Sequence, residues 1–272
     1  MASADQVPLD DRGLAFGDGV FETVLMRDGV PLLWPRHRAR LRHGCQALGI
    51  PPPDDAALEA CWQAPASGLE VLKIMVTRGS GGRGYALPDC QRPRLLHRRT
   101  AFAPARSRWQ GVDVCFCALR LARQPALAGI KHLNRLENVL ARREWQSADI
   151  AEGLLADTDG NLVEATAMNV FWRAEGAYWT PPLDASGVAG TLRAALLDQG
   201  RVQEAPLGAE ALLESPAVEQ LFVGNSVQGL WPVNALVTTQ GRPLRRFAGA
   251  AGAPLQADAH GLLGYPTLSR ED

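Results

Sequence analysis

Paired cysteines, long apolar runs and an excess of either charge are all missing from this chain of 272 residues. The five cysteines, at positions 45, 61, 90, 115 and 117, are odd in number and lack the spacing of a disulfide framework or a zinc site. No run of about 18 apolar residues occurs, and no basic segment leads into an apolar core at the start. We therefore expect a protein of the reducing cytoplasm, with no metal site, no membrane partner and no signal peptide.

An excess of positive charge, which would attract the chain to polyanions such as nucleic acids, is also missing, because the formal net charge is −1. The stretch "RPRLLHRRTAFAPARSR" carries six arginines, but Phe102 is its one phenylalanine, tyrosine or tryptophan. Strand alternation would divide those charges between two faces. We interpret it as a solvated strand followed by a linker, and we expect a small-molecule substrate and no nucleic acid.

Lysine is scarce, since Lys73 and Lys131 are the only two among 28 basic Lys and Arg residues. Arginine cannot form a Schiff base or lose its proton at ordinary pH, whereas a lysine ammonium can be driven towards neutrality. Lys131 stands in "GIKHLNRLENVLARREW", just before a predicted helix, and is therefore a candidate for chemistry. The alternative is an ordinary surface cation.

Hydrophobic patterning predicts an α+β or α/β chain with two lobes. In the first lobe, Asp28-Gly29 marks a hairpin turn, and helices are expected at 36–48 and 54–63. "LEVLKIMVT" is strand-like. We place a small N-terminal α+β domain at 1–105, a linker at 106–112 and a larger β-rich C-terminal domain with helices at 113–272. The second domain is expected to contain a helix at about 134–146 and another beginning at "GTLRAALLDQG".

"GSGGRG", residues 79–84, has the spelling of a dinucleotide-binding loop. Such a loop should open a helix and be followed about 20 residues later by a carboxylate. Here Tyr85-Ala86-Leu87-Pro88 follows, and 91–110 contains no Asp or Glu. We interpret the segment as a glycine loop that lets the backbone approach a ligand, with Arg83 available for an anion. In "DRGLAFGDG", Asp11 and Asp18 are expected to have structural roles.

If Lys131 forms a Schiff base, the natural cofactor is pyridoxal 5'-phosphate, which needs a carboxylate at its ring nitrogen and a phosphate site. Glu164 stands in a strand-like, apolar stretch, so its carboxylate needs a partner, which is either a pyridinium or an arginine. Gly190 and Thr191 open a helix whose amides suit a phosphate. "GNSVQG", residues 224–229, offers Asn225 and Ser226 as further donors.

Six motifs occur together in an order that resembles fold-type IV pyridoxal-phosphate enzymes, the branched-chain and D-amino-acid aminotransferase superfamily. They are "DRGLAFGDGVFET", "HRARL", "TRGSGGRGY", "AGIKHLNRLENVLAR", "DGNLVEATAMNVFW" and "GVAGTLR". The resemblance runs from about Val7 to Val233 and implies the two-domain fold of that superfamily. "MASADQ" at the start and the segment after residue 247 do not match it.

The resemblance also implies a role for most of the motif residues. Lys131 is expected to bond covalently to the cofactor and Glu164 to pair with its pyridine nitrogen. The phosphate is expected to lie against Arg40, the amides of Thr191 and Leu192, Asn225 and Ser226. Thr23 is implied near the reacting carbon, and Arg83 and Tyr85 on the substrate side. His132, Asn134 and Arg135 belong to the motif without an assigned role.

"LAGIKHLNRLENVLAR" together with "RGSGGRGY" is most similar to the aminodeoxychorismate lyases within that superfamily. The implied reaction converts 4-amino-4-deoxychorismate to 4-aminobenzoate and pyruvate in folate biosynthesis. The first alternative is an aminotransferase for D- or branched-chain amino acids, which would use the same lysine and glutamate. The second is a non-catalytic homologue that binds a ligand or nucleic acid. A homodimer is also implied, because members of the superfamily build their sites near a subunit interface.

Overall fold

Two separate β-sheets organise the residues that this computed structural model describes, which are 7–64 and 66–267. The chain divides into two compact units. The first contains the described residues up to Ala103 together with Ile130–Arg135, and the second contains Pro104–Gly129 and the described residues from Leu136 onwards. "MASADQ" lies outside the described residues.

The first unit contains an antiparallel four-stranded sheet of order β2-β1-β3-β4. Its elements are α1 Arg12–Phe16, β1 Gly19–Arg27, β2 Val30–Pro31, α2 Trp34–Leu48, α3 Asp55–Glu59, β3 Leu69–Thr77 and β4 Arg94–Ala101. The predicted hairpin is confirmed, because Arg27 pairs with Val30 across Asp28 and Gly29, which both have positive φ. Gly49 caps α2 with φ +65°, as its position after the apolar pattern predicts.

One face of that sheet packs on α2 to form the core of the first unit. Val20, Val24 and Ile74 of the strands contact Leu41 and Cys45 of the helix. Because side chains alternate along a strand, the residues between them, such as Phe21 and Thr23, lie on the opposite face. The alternation of β1 therefore separates an apolar core face from a face that is open to ligands.

The second unit contains a nine-stranded sheet of order β10-β9-β8-β11-β12-β5-β6-β7, with β13 paired to β12. Its strands are β5 Val112–Leu121, β6 Ile150–Asp157, β7 Leu162–Ala165, β8 Asn169–Ala174, β9 Ala177–Thr180, β10 Gln203–Glu204, β11 Val218–Asn225, β12 Gly229–Val237 and β13 Pro243–Arg246. Its helices are α4 Leu136–Arg142, α5 Thr191–Asp198, α6 Ala209–Glu214 and α7 Pro254–Leu262. The neighbouring strands β12, β5 and β6 are parallel, so their like ends lie at one edge of the sheet.

Two local predictions differ from the structure. The helix expected at 134–146 is shorter, because the Arg135 guanidinium bonds the carbonyls of Ile130 and His132 and holds the chain extended until Leu136. The residues predicted as a linker, 106–112, fall inside the second unit. There Arg106–Gln110 form a 3-10 helix, because the Trp109 ring is buried and its indole N–H bonds the Gln228 carbonyl.

Cys115 and Cys117 of β5 are buried in an apolar cluster with Leu155, Val163 and Trp145. Among residues 7–64 and 66–267, no group of three metal-ligating side chains occurs. No helix of that same part of the chain is both long and apolar enough to cross a membrane.

Candidate functional site

Lys131 lies in an extended segment beside β1. The Phe21 amide donates to the Lys131 carbonyl at 2.9 Å, and the Leu133 amide donates to the Gly19 carbonyl at 2.9 Å. This antiparallel pairing places Lys131 opposite Phe21. The Lys131 ammonium accordingly stands 4.4 Å from the centroid of the Phe21 ring. The lysine therefore projects from the face of the first sheet that does not pack on α2.

Thr23 shares that face, because it is two residues from Phe21 along β1. It is half-buried and pairs directly with Lys73 of β3. The exposed Lys73 ammonium lies 5.5 Å from the Phe21 centroid. Both lysines of the chain are thus gathered around Phe21. Sequence reasoning had found no part for Lys73, although the pairing of "FET" with "VLK" in adjacent strands was the signal that could have identified it.

The residues next to Lys131 hold its segment in place. Arg135 bonds the carbonyls of Ile130 and His132, each at 3.0 Å, and the Asn134 amide donates to the Gly17 carbonyl at 3.1 Å. The His132 Nδ1 atom is buried without a hydrogen-bond partner. Burial, with a smaller effect of Arg135, lowers the pKa of His132 to about 4. The imidazole is therefore neutral near neutral pH.

Arg40 lies on the other side of β1, where α2 packs. Its guanidinium donates to both carboxylate oxygens of Glu22, at 2.8 and 2.6 Å, and His37 Nδ1 lies 2.6 Å from the same carboxylate. Burial raises the pKa of Glu22, but Arg40 and His37 outweigh it and hold the pKa at about 2. Burial lowers the pKa of His37, against the opposing effect of Glu22. Glu22 thus fixes the orientation of Arg40.

Sequence reasoning missed Glu22 and His37. The available signal was the spacing of His37 and Arg40, three residues apart on one helical face, opposite an acidic residue inside an apolar strand.

Arg83 and Tyr85 belong to the glycine loop, residues 79–86, which follows β3. The Arg12 guanidinium holds this loop, because it donates to the carbonyls of Gly84 and Ala86, each at 3.1 Å, and more weakly to that of Tyr85 at 3.4 Å. Tyr85 itself is 85% exposed. The backbone of the loop is held by Arg12, while the side chains of Arg83 and Tyr85 are exposed.

Asp18 anchors Arg12 in turn, with an oxygen 2.9 Å from Arg12 Nε, and it also binds Arg78. Asp11 caps α1 by accepting from the Gly13 amide, and it binds Thr77 and Arg94. The structural roles predicted for these two carboxylates are confirmed.

Glu164 lies on β7 in the second unit and is 3% exposed. Its Oε2 atom accepts from the Val188 amide at 2.8 Å, and the Asn138 amide nitrogen lies 3.5 Å from Oε1. A Cβ atom at Gly187 would stand 2.6 Å from Val163 Cγ1, 3.0 Å from Leu183 Cδ2 and 3.3 Å from Glu164 Oε2, so the backbone there packs directly against β7.

The start of α5 and the turn after β11 meet around Asn169. Gly190 caps α5 without a side-chain hydrogen bond, and a Cβ atom there would overlap the Asn169 Oδ1 atom at 1.9 Å. Asn169 also donates to the Val188 carbonyl at 2.9 Å and pairs with Gly224 at the end of β11. Glu164, the α5 start and the β11 end are thus connected through Val188 and Asn169.

The β11–β12 turn, Asn225–Gly229, carries two of the predicted phosphate donors. The Asn225 Oδ1 atom accepts from the amides of Val227 and Gln228, at 2.9 and 2.8 Å, and its Nδ2 atom donates to the Ala167 carbonyl. The Asn225 side chain therefore shapes the turn. Ser226, at its tip, is 8% exposed.

The donor set of the second unit suits a phosphorylated pyridine. A helix start without a side-chain cap, with Thr191 and Leu192 buried at it, presents amides and a positive dipole end. Ser226 supplies a hydroxyl, and the buried Glu164 supplies a carboxylate that a protonated ring nitrogen would balance. The residues present therefore fit pyridoxal phosphate.

Comparison with known proteins gives a consistent set of similarities. Residues 19–236 match the family model described as amino-transferase class IV. An aminodeoxychorismate lyase from Vibrio harveyi is 34% identical over 242 residues, covering 85% of this chain and 87% of that protein. A putative branched-chain-amino-acid aminotransferase from Methanocaldococcus jannaschii is 28% identical, covering 84% and 82%.

Solved structures show the same pattern. The 4-amino-4-deoxychorismate lyase from Pseudomonas aeruginosa is 40% identical with a TM-score of 0.78, covering 89% of this chain and 91% of that one. A fold IV transaminase from Curtobacterium pusillum is 27% identical with a TM-score of 0.79, covering 98% and 93%.

Proposed function

Because the chain belongs to the class IV aminotransferase family, we propose that it is a pyridoxal-phosphate-dependent carbon–oxygen lyase that converts 4-amino-4-deoxychorismate to 4-aminobenzoate and pyruvate. The observation that carries this proposal is the arrangement on the first sheet, where the Lys131 ammonium contacts Phe21 and a hydroxyl, that of Thr23, occupies the same face. The lyases from Vibrio harveyi and Pseudomonas aeruginosa, at 34% and 40% identity, support the choice of reaction.

The family depends on pyridoxal phosphate, which when bound supplies an electron sink for a carbanion. We assign its covalent attachment to Lys131 and its ring nitrogen to Glu164, which holds that nitrogen protonated. The amides of Thr191 and Leu192, with Ser226 and the Asn225 turn, bind the phosphate. We also assign Arg40 to the phosphate; both carboxylate oxygens of Glu22 bind its guanidinium and fix its orientation.

Once the substrate amine has displaced the Lys131 amine, Lys131 would act as the base that removes the proton from the amine-bearing carbon of the substrate. The ether bond to the enolpyruvyl group breaks as the ring becomes aromatic, and the Thr23 hydroxyl supplies a proton to the departing pyruvate. Thr23 suits this role because it lies on the same face of β1 as Phe21, whose ring the Lys131 ammonium contacts. The reaction needs no redox partner, since proton transfer and bond cleavage balance.

The substrate carries two carboxylates, and the first unit offers cations for both. Arg83 in the glycine loop is exposed and can bind one carboxylate in bidentate fashion, with Tyr85 beside it. Lys73 is exposed on the Thr23 face and can bind the other as a point charge. These assignments explain why the loop backbone is held so firmly by Arg12.

We further propose a cytoplasmic homodimer that acts on this small molecule without a nucleic acid or membrane partner. Free, buried thiols at Cys45, Cys61, Cys115 and Cys117 favour a reducing compartment. Leu136 of α4 is 68% exposed, and Val139 and Leu140 are exposed beside it, which is typical of a surface that another chain covers. The predicted division into a small domain at 1–105, a linker at 106–112 and a large cofactor-binding domain at 113–272 stays a prediction; the two compact units differ from it by placing 106–112 in the second unit and Ile130–Arg135 in the first.

The decisive experiment feeds 4-amino-4-deoxychorismate to the holoenzyme and measures 4-aminobenzoate. Lys131→Ala should lower the rate by about 10²- to 10⁴-fold, the range for loss of a positioned base. Borohydride reduction followed by peptide mass spectrometry should place the cofactor on Lys131. Lys73→Ala is the matched control, and it should keep the cofactor bound.

Two results would contradict the proposal. One is cofactor trapped at a residue other than Lys131. The other is rapid conversion of the bound cofactor to pyridoxamine phosphate by D-alanine or leucine without formation of 4-aminobenzoate, which would identify an aminotransferase.

A further inference from the structure

The β11–β12 turn is held by side chains that approach it from behind. The Tyr265 hydroxyl donates to the Val227 carbonyl at 2.5 Å, and the Trp109 indole N–H donates to the Gln228 carbonyl at 3.0 Å. The amide of Gln228 donates to Asn225 Oδ1 at 2.8 Å. The peptide between Val227 and Gln228 is therefore fixed at both its carbonyl and its N–H.

Tyr265 reaches the turn from a part of the chain that follows the family match, which ends at residue 236. It is 6% exposed and stacks within an aromatic cluster, with ring centroids 5.0 Å from Trp109 and 5.8 Å from His260. Gln256 of α7 ties the same cluster together by donating to the Trp109 carbonyl at 2.8 Å. The C-terminal segment, which lies beyond the family match, is thus packed against the turn.

Gly229 shows how closely the cluster packs. A Cβ atom at Gly229, which has φ +80°, would stand 2.8 Å from His260 Nε2 and 3.4 Å from the Tyr265 ring. The turn and the C-terminal segment therefore leave no space for a side chain between them. A shift of the C-terminal segment would be transmitted directly to the turn.

We propose that Tyr265, supported by Trp109, is a positioning residue for the cofactor phosphate. The two side chains engage the carbonyl oxygens of Val227 and Gln228, so that these oxygens are not presented to a dianion at the turn. These contacts fix the two peptides that follow Val227, and the Val227 amide, which belongs to the peptide after Ser226, is held by Asn225 Oδ1. The inference rests on the proposed use of pyridoxal phosphate and is independent of the lyase reaction.

The test compares two ligands that differ only in the phosphate group. Apo-protein is titrated with pyridoxal phosphate and, separately, with pyridoxal, and each dissociation constant is measured by absorbance. Tyr265→Phe keeps the ring and removes one hydroxyl. It should raise the dissociation constant of pyridoxal phosphate about five- to tenfold, the effect of one hydrogen bond, and should change that of pyridoxal less than about twofold.

Tyr178→Phe is the matched control. Tyr178 of β9 lies in the same unit, with its ring centroid 6.1 Å from that of Phe222, and it is not part of the cluster of Trp109, His260 and Tyr265. This variant should leave both dissociation constants within about twofold, because it removes a hydroxyl without touching the turn. Trp109→Phe removes the other side-chain donor to the turn, the indole N–H. It should likewise raise the dissociation constant of pyridoxal phosphate more than that of pyridoxal.

Equal weakening of both ligands in Tyr265→Phe and Trp109→Phe, or no weakening of either, would overturn the positioning role. A wild-type protein that binds pyridoxal phosphate no more tightly than pyridoxal would overturn the proposed phosphate site as well. A protein that passes both tests but forms no 4-aminobenzoate would leave the positioning role standing and remove only the lyase assignment.

Discussion

The glycine loop and the β11–β12 turn are both held by hydrogen bonds from distant side chains, but the donors differ in charge. Each follows a strand, and each has carbonyl oxygens that accept hydrogen bonds from a side chain in a distant part of the sequence. In the loop that side chain is the charged Arg12, which Asp18 holds. In the turn the donors are the neutral Tyr265 and Trp109.

The difference matches what each segment presents. The loop is fixed along its backbone, yet Arg83 and Tyr85 remain exposed, so in the proposed function a flexible side chain would close on a carboxylate of the substrate. The turn is fixed and buried together with Ser226, so a phosphate bound there, as we propose, would meet donors that do not move. In this proposal the charged side chain of Arg12 holds the segment that binds the substrate, and the neutral side chains of Tyr265 and Trp109 hold the segment that binds the cofactor. If this comparison holds, variants of the loop change KM and variants of the turn change cofactor affinity.

Among the variants that test this comparison, Arg12→Met should have the largest effect. Hydrogen bonds from a charged donor are worth about 1.5–3 kcal/mol each, and this change removes several from the loop carbonyls. We expect KM for 4-amino-4-deoxychorismate to rise about 10- to 100-fold with pyridoxal phosphate affinity unchanged. Steady-state kinetics and cofactor titration measure the two quantities.

Arg99→Met is the matched control for that variant. Arg99 likewise donates to loop carbonyls, those of Trp62 and Ala64, and pairs with Glu70, but its loop precedes β3. It should lower the melting temperature without raising KM. A similar rise in KM for Arg99→Met, or a loss of cofactor affinity in Arg12→Met, would break the distinction between the loop and the turn.

Gly82→Ala should have an intermediate effect. Gly82 has φ +77°, and a Cβ atom there would stand 2.3 Å from the Ala86 carbonyl oxygen and 3.2 Å from Arg12 Nη1. The loop must shift away from Arg12, so we expect KM to rise about five- to tenfold. Gly84→Ala shares the positive φ, but nothing lies within 4 Å of its Cβ position. Equal effects of the two variants would show that backbone strain, and not the Arg12 contact, controls the loop.

Much of the fold could be predicted because its signals are local. The hairpin at Asp28-Gly29, the strand Leu69–Thr77 and the end of α2 at Gly49 each follow from adjacent residues, and the structure confirms them. The family resemblance and the fold class drawn from the motifs are confirmed as well. The burial expected for Glu164 follows from its apolar neighbours, and it too is observed.

The remainder depends on contacts between distant residues. The periodicity of single elements does not reveal contacts such as that of Tyr265 with Val227, which lie 38 positions apart in the sequence. Asn225 looked like a ligand donor because its type suits a phosphate, whereas its amide oxygen is engaged by its own turn. The predicted roles of the site residues remain proposals that the experiments above address.

The smallest effect is expected for Asp18→Asn. This variant removes only the negative charge of the side chain that holds Arg12. Burial raises the pKa of Asp18, but Arg78 and Arg12 outweigh it and lower the pKa below the ordinary 3.8. The ionised carboxylate therefore stabilises the folded state above pH 3.8, and this contribution is lost as the pH falls through the lower folded-state value. The free energy of unfolding of the variant should be about 1 kcal/mol lower than that of the wild-type protein at neutral pH.

That difference from wild type should stay constant down to about pH 4 and shrink as the pH falls further, which denaturant titrations across this range would measure. Asn225→Asp is the counterpart in the turn, because it adds a negative charge where the side chains that hold the turn, Tyr265 and Trp109, are neutral. Because an anion there would oppose a phosphate, Asn225→Asp should lose pyridoxal phosphate affinity more than pyridoxal affinity. A variant of Asp18 whose stability deficit persists undiminished at low pH would mean that the shape of this side chain, and not its charge, holds Arg12 against the loop.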